Sequence, residues 1–175
     1  MQKILIVVDM QNDFIDGALG APEAVAIVPK AAEKIRNFNG RVIFTRDTHG
    51  PEYLETREGK SLPFAHCIRG TEGWEICPEL SKLCKEEPVD KVTFGSVNLG
   101  QYLQEENHRE KIESVTLIGL CTDICVISNA LLLRAFLPEA EIYVDASCCA
   151  GVTPQQHGNA LLAMEACQVR IENKG

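Results

Sequence analysis

Gly119-Leu120-Cys121-Thr122-Asp123-Ile124-Cys125-Val126 decides how this chain reads. Before it, Val115-Thr116-Leu117-Ile118-Gly119 is a short apolar, β-branched run, the pattern of a buried strand. After it, Ile124 to Phe136 is apolar on nearly every side, as in a buried helix. A strand running straight into a helix puts the connecting turn at the C-terminal edge of a parallel sheet, where α/β folds keep their chemistry. Thr122 is the expected N-cap. Cys125 then falls in the first turn, where its N–H is an unpaired donor and the positive end of the helix dipole favours its thiolate. The same cysteine suits a small residue in an apolar core equally well.

The 175 residues suit one domain, 1–175, with enough chain for a real core. Hydrophobic residues make up 45% and charged residues 24%, as in an ordinary soluble protein. A net charge of −8 argues against nucleic acid or an anionic membrane surface as a partner. The apolar run within Met1–Asp9 is too short for a signal peptide or a membrane span, so a cytoplasmic location is expected. The 8 cysteines show neither a secretory context nor the paired C-x-x-C spacing of a structural zinc site. Reduced, mostly buried thiols are expected, with Cys125 the exception.

Ile4 to Val8 is a continuous apolar run, as in a central parallel strand, and it ends at Asp9. Asp13 and Asp16, near Gly17 and Gly20, read as loop acids. Val28 to Asn39 has helical spacing, with Gly40 as C-cap. Arg41 to Thr45 is the next strand and leads to Arg46-Asp47-Thr48-His49. Gly50 to Glu75 has no clear period; its length, Glu58, His66 and Trp74 favour an ordered functional loop. Pro78–Cys84 and Leu99–Glu106 read as helices, Val89–Thr93 and Glu141–Asp145 as strands. Thr153-Pro154 opens a helix to about Ala166, and Gln168–Ile171 is a last strand. Six strands alternating with helices give a three-layer α/β/α domain around a mostly parallel sheet.

Strand ends therefore present Asp9, Lys91 and Cys125 at one sheet edge. A carboxylate can take the thiol proton, and a lysine beside both stabilises the thiolate. The bland alternative is an Asp9–Lys91 salt bridge with a bystander cysteine.

Asp9-Met10-Gln11-Asn12-Asp13-Phe14, Lys91 followed by Phe94, and Gly119-x-x-Thr122-Asp123-x-Cys125-Val126 together resemble the isochorismatase-like cysteine hydrolases. The likeness extends to Asp145-Ala146-x-x-x-Ala150-Gly151 and His157. It implies a catalytic triad of Asp9, Lys91 and Cys125. It also implies a cis peptide at Leu120–Cys121 that aims the Cys121 N–H, with that of Cys125, at an oxyanion. Asp47-x-His49 and His66-Cys67 followed by Gly70-Thr71 resemble the metal site of the nicotinamidases. Two imidazoles and a carboxylate suit a divalent metal, Zn²⁺ foremost, Fe²⁺ or Mn²⁺ otherwise. Glu58 is the expected fourth ligand and Glu55 its competitor; plain surface histidines are the alternative.

The resemblance implies a metal-assisted amidohydrolase working through a thioester, foremost nicotinamide and water to nicotinate and ammonia, in a homo-oligomer of two or more copies. Phe14, Phe94 and Leu120 are the expected substrate contacts. Two positions depart from the nicotinamidase pattern: Leu62 replaces a Trp before the Pro, and Asn98 replaces a second aromatic. They leave room for another small amide, carbamoyl or ureido substrate. An idle binding homologue is the reading from outside the enzymes.

Overall fold

The computed structural model describes residues 1–174. Ile4 to Val8 are fully buried and form the middle of strand β1 (Gln2–Val8). β1 pairs in parallel with β2 (Arg41–Asp47) on one side and β4 (Ile112–Leu120) on the other. With β3 (Val89–Lys91), β5 (Glu141–Ala150) and β6 (Arg170–Glu172), the order is β3-β2-β1-β4-β5-β6, every pair parallel. The direction of strand progression reverses between β1 and β4. Loops diverge at such a switch point and leave a crevice beyond the strand ends.

Successive side chains of β1 point to opposite faces, so both faces must be covered. Ile4, Ile6 and Val8 pack with Leu99 and Leu103 of α5 (Val97–Arg109), Ala130 and Leu133 of α6 (Ile127–Phe136) and Leu161 and Met164 of α7 (Pro154–Ala166). Leu5 and Val7 pack under Ala24, Ile27, Val28, Ala31 and Ile35 of α2 (Pro22–Asn37), beside α1 (Asn12–Ile15). The remaining helices are single turns: α3 (Arg57–Ser61), in the segment without a period, and α4 (Pro78–Ser81).

Several boundaries differ from the sequence reading. α2 starts at Pro22 rather than Val28 and runs straight through Pro29, because its buried face begins at Ala24. It ends at Asn37 with Phe38 as its C-cap; Gly40 is not the cap but lies against β1, where a Cβ would come within 2.3 Å of Lys3 O. β3 stops at Lys91, α5 is longer than expected and is capped by Ser96, and β5 continues to Ala150 past a register shift against β4. Residues 50–75 are folded: α3 lies between short 3-10 turns at Tyr53–Glu55 and Glu72–Trp74, and His49 bridges to Ile68. No helix among the described residues is long and apolar enough to cross a membrane.

Gly119, at the end of β4, sits at φ +119, and a Cβ there would come within 2.1 Å of Val8 O on β1. Gly119→Ala should lower the unfolding free energy by about 2–4 kcal/mol, from overpacking plus unfavourable backbone. Gly158→Ala, on α7 with open space around it, should raise it by about 0.5–1 kcal/mol. Urea titration of the two variants checks both signs.

Candidate active site

Four strand ends meet at the crevice. β1 delivers Asp9, fully buried, with a left-handed backbone (φ 48). Thr45 on β2 holds it: the hydroxyl donates to Asp9 Oδ1 at 2.6 Å and accepts the Asp9 N–H at 3.3 Å. Lys91, at the end of β3, points its ammonium inward. Nζ lies 2.6 Å from Asp9 Oδ2, 3.2 Å from Asp47 Oδ1, 3.2 Å from Thr93 O and 3.4 Å from Cys125 Sγ. Asp9 Oδ2 touches Lys91 but accepts no hydrogen bond of good angle. It is the carboxylate oxygen with a lone pair to spare. The structure thus brings Asp9, Lys91 and Cys125 together.

The turn after β4 differs from expectation. Thr122 does not cap the helix; its Oγ1 is 2.7 Å from His157 Nδ1 on α7. The chain passes through a π-turn, Thr122–Val126, in which the Cys121 carbonyl accepts the N–H groups of Ile124 and Val126. A half-buried imidazole takes the threonine hydroxyl in place of a backbone amide. The Leu120–Cys121 peptide is cis, as the resemblance implied. Asp123 Oδ1 takes the Val152 N–H at 3.0 Å and ties the turn to the loop after β5.

Burial opposes the charge on Lys91, yet Asp9, Cys125 and Asp47 outweigh it and hold the ammonium protonated far above its ordinary range. Burial lifts the Asp9 carboxyl, against the pull of Lys91. Burial, then the Asp9 charge, push the Cys125 thiol well above its usual value. Both effects favour the protonated thiol and act against the helix dipole. The thiol needs a base, and Asp9 is on the spot.

A second cluster adjoins the first. Asp47, His49, Glu58 and His66 each turn one donor atom to a common point, all within 4.8 Å of one another. His49 Nε2 is 2.9 Å from Asp47 Oδ2 and 3.6 Å from Glu58 Oε1; His66 Nε2 is 3.6 and 3.9 Å from the same atoms. Ligand atoms about 2.0–2.2 Å from one ion stand about 3–3.5 Å apart, so the spacing fits. His66 Nδ1 lies 2.7 Å from Phe64 O, and an N–H donated there leaves the Nε2 lone pair facing the cluster. Tyr53 packs against both imidazoles. Burial opposes the charge on Asp47, but the neighbouring His49 and His66 imidazoles and the nearby Lys91 hold its carboxyl well below the usual range. Burial and Asp47 raise Glu58. Three carboxylates, Asp9, Asp47 and Glu58, face one lysine, an excess of negative charge that a divalent cation would balance. Glu55 is exposed and stands apart from the cluster.

Both clusters open into a cavity of about 370 Å³. Phe14, Phe94, Leu120, Cys121 and Cys125 line it, as does Leu62. Asn98 is exposed and outside the lining, as is Phe64. Trp74 stands behind the site: its ring N–H donates to Thr48 Oγ1 and Arg46 stacks on it at 3.7 Å.

Sequence reasoning missed three supports. Gln11, fully buried, donates to Asp47 O and Trp74 O and accepts the Asp47 N–H. Asp13 accepts the Cys67 N–H at 2.7 Å, beside His66. Asn129 donates to Cys125 O and Phe94 O and accepts the Ser96 N–H. Gln11 and Asp13 carried a signal, since polar side chains directly after a buried strand need partners; Asn129 in an apolar helix carried the same one.

A profile of the Isochorismatase domain matches residues 3–173. The chain belongs to the isochorismatase family. An isochorismatase family protein of Bacillus subtilis is 33% identical over 145 residues, 75% of this chain and 78% of its own length. A nicotinamidase/pyrazinamidase of Mycobacterium tuberculosis is 29% identical over 144 residues, 73% and 76% of the two chains. The crystal structure of a Pyrococcus horikoshii pyrazinamidase in complex with zinc superposes with a TM-score of 0.82 at 28% identity, covering 99% of this chain and all of that one.

Glu58→Gln should weaken Zn²⁺ binding about 10–100-fold, while Glu55→Gln should leave it within a factor of two. Titration against a competing chelator separates them; equal affinities would remove Glu58 from the ligand set.

Proposed function

We propose that this chain is a cysteine amidohydrolase of the nicotinamidase type, acting on small aromatic carboxamides with nicotinamide foremost. The observation that carries the reading is a buried thiol 3.4 Å from Lys91 Nζ, itself 2.6 Å from Asp9, in one cavity with the Asp47-His49-Glu58-His66 cluster. The names of the Mycobacterium tuberculosis and Pyrococcus horikoshii relatives support it.

Asp9 takes the Cys125 proton, and Lys91 holds the thiolate that forms. The sulfur attacks the carboxamide carbon, with the Cys121 and Cys125 amides set to receive the oxyanion. Asp9 returns its proton to the leaving ammonia, which gives a thioester. Asp9 then deprotonates a water that attacks the thioester, releasing the carboxylate and restoring the thiol. Phe14 and Phe94 flank the ring and Leu120 floors it. Asp47, His49, Glu58 and His66 would hold a divalent cation, Zn²⁺ foremost with Fe²⁺ or Mn²⁺ as alternatives, whose Lewis acidity suits anchoring a ring nitrogen and a water. A second reading, another small amide, carbamoyl or ureido substrate, draws support from the aliphatic Leu62 in the cavity wall.

Ammonia release from nicotinamide tests the reading. Turnover should be lost on chelation and return with Zn²⁺, Fe²⁺ or Mn²⁺. Cys125→Ala should lower kcat by at least about 10³-fold with an unchanged unfolding midpoint. A variant that keeps its activity would refute the nucleophile; metal-loaded protein inert toward nicotinamide but active on a ureido substrate would favour the second reading.

A further inference from the structure

The cavity is larger than nicotinamide requires. A cavity of about 150 Å³ suffices for one benzene ring, and a water takes about 30 Å³; this one measures about 370 Å³. The surplus has a direction. Cys125, Asp47 and His66 are 4%, 2% and 2% exposed and mark the closed end, whereas Phe94 and Val152, at 40% and 52%, mark the mouth. Leu19, Ala21, Leu62 and Ile124 line the same cavity, all half-buried and apolar. The charged and imidazole groups of the lining, Asp47, Glu58 and His66, all belong to the metal cluster. The mouth half is therefore a collar of aliphatic and aromatic side chains without a charged partner. A polar group placed there would lose hydration and gain no partner, while an apolar one would be sheltered from water.

We propose that this collar is a subsite for an apolar substituent on the substrate's ring, so that within the class of small aromatic carboxamides the enzyme also takes alkyl-extended and ring-fused heteroaromatic members and holds them more tightly than the plain ring of nicotinamide. The inference rests on the amidohydrolase reading above and keeps its reaction. The C–N bond breaks, the water oxygen bonds to the acyl carbon, and ammonia leaves with the proton. The ring's carboxamide lies at Cys125, and its substituent runs past Leu62 and Ile124 toward Val152.

Quinoline-3-carboxamide and 5-propylnicotinamide, compared with nicotinamide, test it in two ways. One is kcat/KM with the metal-loaded enzyme; the other is calorimetric binding to metal-loaded Cys125→Ala, which needs no turnover. Both extended amides should exceed nicotinamide by about tenfold or more in each measure, a step expected for several added carbons in an apolar pocket. Leu62→Trp and Ala24→Leu, which each enlarge a side chain lining the cavity, should each cut the extended-to-plain ratio about tenfold. Extended amides that bind Cys125→Ala no better than nicotinamide, or a ratio that neither variant moves, would overturn the subsite. Tight binding of the extended amides with no hydrolysis of any amide by the wild-type enzyme would uphold the subsite and overturn the hydrolase reading.

Discussion

The ammonium of Lys91 is the interaction on which the site depends. It has three protons to donate and four acceptors within 3.4 Å: Asp9, Asp47, Thr93 O and Cys125. All this is buried, where an unpaired charge is costly; breaking a buried pair by removing one partner typically costs about 3–5 kcal/mol. Lys91 therefore has both a structural and an electrostatic duty. It keeps two carboxylates close together in the interior, and it leaves one weak contact for the sulfur, which strengthens when the sulfur becomes negative. Asp47 belongs to the lysine's circle and to the metal cluster, so the two groups of residues form one electrostatic unit.

The fold supplies this convergence through strand order. β1 lies at the centre, with β2 and β3 on one side and β4 on the other, so their C-terminal ends form a short arc. Asp47 and Lys91 are register partners on neighbouring strands, as are Val8 and Gly119. The close approach at Gly119 lets β4 run tight against β1 before the chain turns toward Cys125. Gln11 and Asn129 then fix the two flanks: one clamps the end of β2 to the 72–74 turn, the other holds the Lys91–Ser96 connection against α6.

Most of this was legible in the sequence where a single physical pattern governed the outcome. Continuous apolar runs gave the buried strands, and strand-to-helix junctions gave the edge that carries Asp9, Lys91 and Cys125. The metal cluster was less open to local reading, because Asp47, His49, Glu58 and His66 come together only when residues 50–66 fold back over β2. Position alone could not separate Glu58 from Glu55; the fold does, because Glu58 on α3 joins the cluster while Glu55, at the end of the preceding 3-10 turn, is exposed. Thr122 misled because a capping preference is a local rule and His157 is a long-range partner. The start of α2 was missed because its first turns, from Pro22, bury only Ala24 and Ile27 before the expected run begins at Val28.

The strand order also bears on how the protein comes into being. Cys125 lies more than a hundred residues after Asp9 and joins Asp9, Asp47 and Lys91 only through the pairing of β1 with β4. Contacts so distant in sequence form late, after their loop-closure entropy has been met. Without β4, the strands β1, β2 and β3 would hold Asp9, Asp47 and Lys91 but not the Cys125 thiol, and would leave a hydrogen-bonding edge of β1 open. The group of four is therefore complete only once β4 has closed that edge and carried Cys125 to the other three.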